Sequence, residues 1–224
     1  MLIFLHLPKT AGTTFDQILK HNYDADEFYR IQNEGSKILW INMPDEEKRK
    51  IKCLTGHIAY GLHEYVPWEC QYVTILRHPF ERLLSWYYYI RSKKHALAKM
   101  CTDMSLVEVI QSRTVSETNN GMTRFIAGRR DIGINKPYDI TAEDDLTLAK
   151  IRLNKFTSIG FTDTFDESLA KFADIFGWTE LEYVPMLVNN DKPTMNDLTP
   201  VEVEVLTKYN KQDLELYDFA KGIT

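Results

Sequence analysis

Little cysteine, no long apolar run and no excess of positive charge characterise the sequence, and each shortage excludes a class of protein. The cysteines Cys53, Cys70 and Cys101 are odd in number and include no Cys-x-x-Cys pair, which argues against a disulfide framework or a structural zinc site. Reduced thiols in a cytoplasmic protein are therefore expected. The N-terminal apolar run, residues 1–5, is far shorter than the roughly 20 residues of a spanning helix. We therefore expect no membrane anchor.

The charge and the length are those of an ordinary globular chain. The net charge is 27 − 32 = −5, which disfavours general binding to nucleic acid or to anionic membranes. A local convergence of a few basic residues and backbone amides can still bind an anion. The 224 residues, of which 44% are hydrophobic, suffice for one sizeable core. A single domain over residues 1–224 is therefore predicted.

Periodicity predicts strands alternating with helices. Strands are predicted at residues 2–7, 37–41, 53–55, 71–76 and 157–161. Helices are predicted at residues 13–21, 79–94, 104–112, 117–127, 142–154 and 164–176, with a helical segment at 200–220. This order predicts an α/β fold with a central parallel sheet flanked by helices. Ligands of such folds bind at the carboxyl ends of the strands, so the loops after Leu7, Thr55 and Leu76 form the candidate site.

The first loop combines small residues, hydroxyls and one lysine between a strand and a helix. It reads Leu7-Pro8-Lys9-Thr10-Ala11-Gly12-Thr13-Thr14. Small residues let the backbone wrap around a phosphate-like group, while the helix presents its first amides and the positive end of its dipole. The lysine precedes the glycine, unlike the lysine of the triphosphate-binding loop G-x-x-x-x-G-K-[ST]. A capped helix start with an incidental lysine is the alternative interpretation.

The second loop places a histidine directly after a strand end. His57 follows Gly56, and an imidazole with an ordinary pKa of about 6.5 suits proton abstraction near neutral pH. A purely structural histidine is the alternative, and His63 in the same loop is a second candidate. The loop alone does not distinguish these possibilities.

The third loop begins with an arginine at a strand end. The planar guanidinium of Arg77 suits bidentate capture of a phosphate, and Ser85, about two helical turns later, can donate a hydroxyl to the same ligand. For Arg82 an ion pair with a nearby carboxylate is as good an interpretation as ligand contact. The aromatic residues 86–89 are interpreted as core.

Together these loops resemble those of the 3'-phosphoadenosine 5'-phosphosulfate (PAPS)-dependent sulfotransferases, in the branch of the heparan and chondroitin 2-O-sulfotransferases and their bacterial relatives. Leu7-Pro-Lys-Thr-Ala-Gly-Thr-Thr14 is similar to that family's 5'-phosphosulfate loop, and Leu76-Arg-His-Pro-Phe-Glu-Arg-Leu-Leu-Ser85 to its 3'-phosphate motif. Gly56-His57 matches the segment of its proposed base. Weaker landmarks occur at residues 120–125, 159–162 and 214–217.

The resemblance implies a fold, a reaction and a set of roles. The fold would be a P-loop-like three-layer sandwich, and the reaction an in-line sulfuryl transfer from PAPS to an acceptor hydroxyl without a metal. Lys9 would neutralise the leaving group within the loop 8–14, Arg77 and Ser85 would bind the 3'-phosphate, and His57 would be the general base. Lys192 is a candidate for a further 3'-phosphate contact, with a surface turn as the alternative.

Some alternatives stay open at this point. A P-loop-type nucleotide kinase is disfavoured by the position of Lys9, and a non-catalytic nucleotide sensor by His57. The family's animal members are anchored in membranes, whereas no anchor is expected here, so an animal-type polysaccharide acceptor does not follow. The acceptor would be a carbohydrate or another small molecule, with residues 92–155 as a helical segment on the acceptor side. The oligomeric state stays open.

Overall fold

A computed structural model of the chain describes residues 1–92, 97–129, 143–184 and 193–224. The chain divides into two compact units. The first, called the sheet unit, comprises residues 1–76 and 155–187. The second, called the helical unit, comprises residues 77–154 and 188–223.

The sheet unit contains five parallel strands. They are β1 (Leu2–Leu5), β2 (Phe28–Ile31), β3 (Cys53–Gly56), β4 (Gln71–Leu76) and β5 (Ser158–Phe161). Their order in the sheet is β2-β3-β1-β4-β5, so β1 lies between β3 and β4. All four residues of β1 are buried, which explains why this strand is continuously apolar rather than alternating. The predicted α/β class with a central parallel sheet flanked by helices is confirmed.

Eleven α-helices occur among the described residues. They are α1 (Gly12–Asn22), α2 (Glu34–Ile41), α3 (Asp45–Lys48), α4 (Pro79–Ser92), α5 (Ala98–Asp103), α6 (Leu106–Gln111), α7 (Gly121–Ile126), α8 (Glu143–Leu153), α9 (Phe165–Phe176), α10 (Pro200–Tyr209) and α11 (Lys211–Gly222). None of the helices in this part of the chain is both long and apolar enough to cross a membrane.

The core of the sheet unit lies between one face of the sheet and helices α1 and α9. Phe15 of α1 packs edge-on against Phe4 of β1 and against Phe172 of α9, with ring centroids 4.6 and 5.3 Å apart. Trp178, just after α9, packs against the same phenylalanine of α1. These aromatic contacts fix α1, and with it the loop that joins α1 to β1.

One prediction of local structure was wrong, and two further segments contain detail that the sequence did not indicate. Residues 37–41, predicted as a strand, belong to α2, because Asn33 and Ser36 form a reciprocal capping box that starts a helix before them. The stretch 22–36, which shows no clear periodicity, contains β2. The segment 200–220 consists of two helices that break at Asn210, whose buried side chain bonds the main chain of Leu206 and Thr118.

Candidate active site

The loop after β1 has a strained backbone. Lys9 and Ala11 adopt positive φ angles of 68° and 62°, which residues other than glycine rarely adopt. The buried hydroxyl of Thr10 donates to the carbonyl of Leu7 at 2.9 Å and so closes the turn. The loop is thus held in a fixed, curved shape just before α1.

The N-terminus of α1 has no capping side chain. Its N-cap residue is Ala11, whose methyl group cannot accept a hydrogen bond from the first amides, and the first turn contains no acidic residue. The first turn also includes the hydroxyl-bearing Thr13 and Thr14, and Lys9 lies just before it. Helix amides that the N-cap side chain does not bond, a positive dipole end, an adjacent lysine and nearby hydroxyls fit a phosphate- or sulfate-like group.

His57 lies next to this loop at the end of β3. The strand register pairs Leu5 with Gly56, so the residues that follow them are neighbours. The ring of His57 is 4.1 Å from the ring of His6, and its Nδ1 is 2.8 Å from the main-chain carbonyl of His6. A carbonyl only accepts, so Nδ1 must carry the proton of this bond. In the neutral ring Nε2 is then the basic nitrogen.

The surroundings of His57 keep its ring neutral near pH 7. The residue keeps contact with solvent, yet the protein packed around its ring desolvates it. This desolvation, with the neighbouring His6 as the second cause, lowers the pKa of His57 to about 4. The imidazole is therefore neutral near pH 7 and able to accept a proton.

Behind His57 lies a polar cluster, buried except for its arginine, that the sequence did not reveal. Its members are His6, Asp16, Arg30 and Thr55, and we call it the Asp16 cluster. Burial alone would raise the pKa of Asp16, but His6 and then Arg30 outweigh it and lower that pKa. The carboxylate thus stays ionised. No local signal marks this cluster, because Asp16 occurs among the apolar residues of α1 and His6 continues an apolar strand.

The other two candidate histidines have different surroundings. His63 Nδ1 is 3.0 Å from the hydroxyl of Tyr72, and its main-chain amide donates to the same oxygen at 3.2 Å. Tyr72 lies opposite Ile3, near the amino-terminal end of β4, whereas His57 follows the carboxyl end of β3. In the helical unit, the ring of His78 packs edge-on against Phe80 and Tyr217.

The predicted 3'-phosphate residues belong to the helical unit. Arg77 directly follows β4 in the sequence and is half-buried, and its Nη2 contacts Glu81 Oε2 at 3.2 Å. The second oxygen of Glu81 accepts from the amide of Met195 at 2.9 Å. Ser85 is half-buried one turn beyond Glu81 on α4. Glu81 therefore orients the guanidinium of Arg77.

Arg82 and Lys192 are the remaining candidates from the sequence. Arg82 is fully buried and lies 3.5 Å from Asp213, so of the two interpretations the ion pair is the one observed. Lys192 lies outside the described residues. Among the described residues, no group of three or more His, Cys, Asp or Glu side chains could hold a metal ion.

Parallel α/β sheets bind their ligands at the carboxyl ends of the strands, which is where the loop after β1 and His57 after β3 lie. The model of the family described as "Sulfotransferase family" matches residues 1–220, and the chain belongs to that family. No curated protein matches this chain. A crystal structure of mouse sulfotransferase SULT7A1 complexed with PAP matches with 12% identity over 98% of this chain and 88% of its own, with a TM-score of 0.48.

The family match covers nearly the whole chain and carries the assignment. It confirms the resemblance predicted from the three loops, and with it a transferase of the PAPS-dependent sulfotransferase class. The donor expected from the sequence, PAPS, is the sulfuryl donor of this class.

Proposed function

We propose that the enzyme transfers the sulfuryl group of PAPS to a hydroxyl of a carbohydrate or another small molecule, with His57 as the general base. The observation that carries this proposal is the position of His57. Its Nδ1 is bonded to the main-chain carbonyl of His6, 2.8 Å away, which leaves Nε2 as the basic nitrogen of a residue that lies next to the loop after β1.

The transfer makes one bond to sulfur and breaks another. The acceptor oxygen forms a bond to sulfur while the bond between sulfur and the bridging oxygen of the 5'-phosphate breaks. The hydroxyl proton passes to Nε2 of His57, and adenosine 3',5'-bisphosphate leaves. Charge develops on the leaving phosphate and spreads over the sulfuryl oxygens, much as in phosphoryl transfer, so preorganised positive groups assist most in the transition state.

Each donor group has a proposed partner. The loop residues Pro8 to Thr14 cradle the 5'-phosphosulfate, where Lys9 neutralises the leaving group. Arg77 and Ser85 bind the 3'-phosphate, and the contact between Arg77 and Glu81 supports this role because it holds the guanidinium before the ligand arrives. For the acceptor, residues 92–155 remain the proposed segment, of which 93–96 and 130–142 lie outside the described residues. A reducing compartment is supported by Cys53, Cys70 and Cys101, which are free thiols.

Donor selectivity tests the function. Calorimetry should show adenosine 3',5'-bisphosphate binding at least about tenfold tighter than AMP, because charge-assisted bonds to a phosphate each contribute roughly 1.5–3 kcal/mol. Arg77→Met should remove most of this preference, while Arg113→Met, at an exposed position of the helical unit, should keep it. Equal affinity for the two nucleotides, or preference for Mg-ATP, would contradict the proposal and favour a kinase.

The base is tested by single-turnover transfer with each variant saturated by donor. His57→Ala should lose about 10²–10⁴-fold in rate, the usual cost of removing a positioned base, and should bind the bisphosphate almost normally. His63→Ala and His78→Ala are the matched controls. His57→Ala should lower the rate of transfer to a phenol less than the rate of transfer to an aliphatic alcohol, since a phenol loses its proton more easily. If His57→Ala stays within about threefold of the parent while His63→Ala is inactive, the base is His63.

A further inference from the structure

The Asp16 cluster lies beside the proposed base, and the reaction as described makes no use of it. His6 and Asp16 are each only 2% exposed. Ionisable groups are rarely placed this deep without a partner or a task, because burial disfavours their charged forms. The cluster joins four elements, since His6 follows β1, Asp16 lies on α1, Arg30 on β2 and Thr55 on β3.

Asp16 connects these elements through its two carboxylate oxygens. Oδ1 accepts the hydroxyl of Thr55 at 2.9 Å. Oδ2 lies 3.2 Å from Arg30 Nη2 and 3.4 Å from His6 Nδ1. Neither His6 Nδ1 nor Asp16 Oδ2 makes a hydrogen bond of good geometry. A buried polar atom without a bond is costly, so a small rotation of the imidazole that closes the 3.4 Å gap is favoured.

The ring of His6 has little freedom except for this rotation. It stacks on Phe4 with centroids 5.3 Å apart and faces His57 at 4.1 Å on its other side. A Cβ placed on Gly12 would come within 2.1 Å of two atoms of the ring, so the ring edge lies directly against the first residue of α1. The side chain of His6 therefore separates the donor loop from Asp16 and forms the wall against which His57 packs.

We propose that His6 is a positioning residue for the base: Asp16 holds the ring of His6, and the ring and main-chain carbonyl of His6 together hold His57 with Nδ1 bonded and Nε2 directed to the reaction. The inference rests on the proposed function, because it gives His57 the role of base. It goes beyond that function in assigning a task to His6 and Asp16, neither of which touches the reacting atoms.

The arrangement serves two requirements of a base. A base must present a bare nitrogen, and the carbonyl of His6 selects the tautomer in which this nitrogen is Nε2. A base must also stay in place, and a half-exposed imidazole held by one bond alone rotates about that bond. Contact with the fixed ring of His6 removes this rotation. Groups that orient a reactive imidazole commonly change rates by about 10–100-fold when they are replaced.

The tautomer of His57 can be measured without substrate by long-range ¹H–¹⁵N spectra of the imidazole nitrogens. In the parent protein, Nδ1 of His57 should be protonated and Nε2 bare. In Asp16→Asn and in His6→Phe, which keeps a ring in the stack, the main-chain carbonyl of residue 6 still selects this tautomer. We therefore expect the tautomer to stay, while ¹⁵N relaxation of the His57 ring shows it to be mobile in both variants and rigid in the parent. Transfer should fall by about 10–100-fold in parallel, with bisphosphate affinity within about threefold of the parent.

Ser168→Ala is the matched control, because it removes a buried hydrogen bond of the sheet unit, to the amide of Phe161, and leaves the Asp16 cluster intact. In this control the His57 ring should be as rigid as in the parent, and the rate should stay within about threefold of the parent rate. Circular dichroism checks the fold of each variant, and if Asp16→Asn does not fold, the inference is judged from His6→Phe alone. Parent-like ring mobility and a parent-like rate in a folded His6→Phe overturn the inference. Full transfer by His57→Ala instead contradicts the proposed function, so the two failures are distinguishable.

Discussion

The N-termini of α1 and α7 face the same physical problem and solve it differently. In α7, the amides of Met122 and Thr123 donate to the carboxylate of Asp213 at 3.1 and 2.7 Å. At the start of α1, Ala11 offers no acceptor. Both helices begin after a residue with a left-handed backbone, Asn120 in one case and Ala11 in the other. The difference therefore lies in the side chains and not in the backbone.

The cap of α7 belongs to a reciprocal arrangement within the helical unit. Asp213 caps α7 from α11, while the side chain of Asn120 accepts the amides of Gln212 and Asp213 at 2.9 and 3.2 Å and so caps α11. Helix amides that serve the fold are thus satisfied by the chain itself. The N-cap residue of α1 supplies no such acceptor, which is what the proposed binding of the phosphosulfate group there requires. Substitutions at either helix can test this contrast, and the largest effect is expected at α7.

Removing the cap of α7 should destabilise the protein strongly. Asp213→Ala leaves Arg82 buried without its ion-pair partner and leaves two helix amides without an acceptor. Losing one partner of a buried pair costs about 3–5 kcal/mol of unfolding free energy. Urea denaturation measures this loss, with Asp218→Ala on the exposed side of α11 as the control. Equal midpoints for the two variants would mean that Asp213 does not stabilise the helical unit as described.

An acidic residue at the start of α1 should raise the stability of the ligand-free protein, whereas removing the cap of α7 lowers it. Ala11→Asp places a carboxylate at the positive end of the helix, where it should stabilise the ligand-free protein by about 0.3–1 kcal/mol. The same carboxylate repels the donor, so affinity for the bisphosphate should fall by about tenfold. Calorimetry and thermal unfolding measure the two effects. Ala11→Asn tolerates the same backbone without the charge and should keep most of the affinity. Unchanged affinity in Ala11→Asp would mean that no anion binds there.

The smallest expected effect is that of pH on the transfer rate, through the protonation of His57 in the sheet unit. With a pKa of about 4, His57 stays neutral where an ordinary histidine of pKa about 6.5 becomes protonated. Single-turnover transfer at pH 5.5 should therefore stay within about twofold of its value at pH 7. In the unfolded chain His57 takes up a proton near pH 6.5, whereas in the folded protein it does so only near pH 4. The free energy of unfolding that the neutral ring contributes is therefore present above pH 6.5 and is lost as the pH falls toward 4. This contribution is small because solvent reaches the residue. A rate that halves near pH 6.5 would contradict the lowered pKa.

The sequence predicted structure well wherever a local signal was strong. The β-branched run Gln71–Leu76 appears as β4 with the predicted bounds, and Pro79 opens α4 as expected. In contrast, the apolar residues 37–41 resemble a strand, and only the cap at Asn33 makes them helical. The loop from Pro8 to Thr14 and His57 were predictable because each is a local pattern beside a strand end, although their roles remain proposals.

The contacts that organise the site could not be predicted. His6 meets Asp16 because one turn of α1 returns toward the end of β1, and it meets His57 because Leu5 and Gly56 are in register. Likewise Arg82 and Asp213 are far apart in the sequence and meet only in the folded helical unit. A single sequence contains no signal for such pairs, since each residue alone is compatible with a solvated helix face.

The position of β5 in the sheet has a consequence for how the chain folds. Strand β5 pairs with β4, yet residues 77–154, most of the helical unit, lie between them in the sequence. During synthesis β1 can pair with β3 and β4 early, while the outer edge of β4 stays open until β5 emerges. Closing such long-range parallel pairings is slow, because the loop entropy is lost before the contacts form. Until β5 pairs with it, the open edge of β4 therefore exposes the nascent chain to aggregation and to chaperone binding.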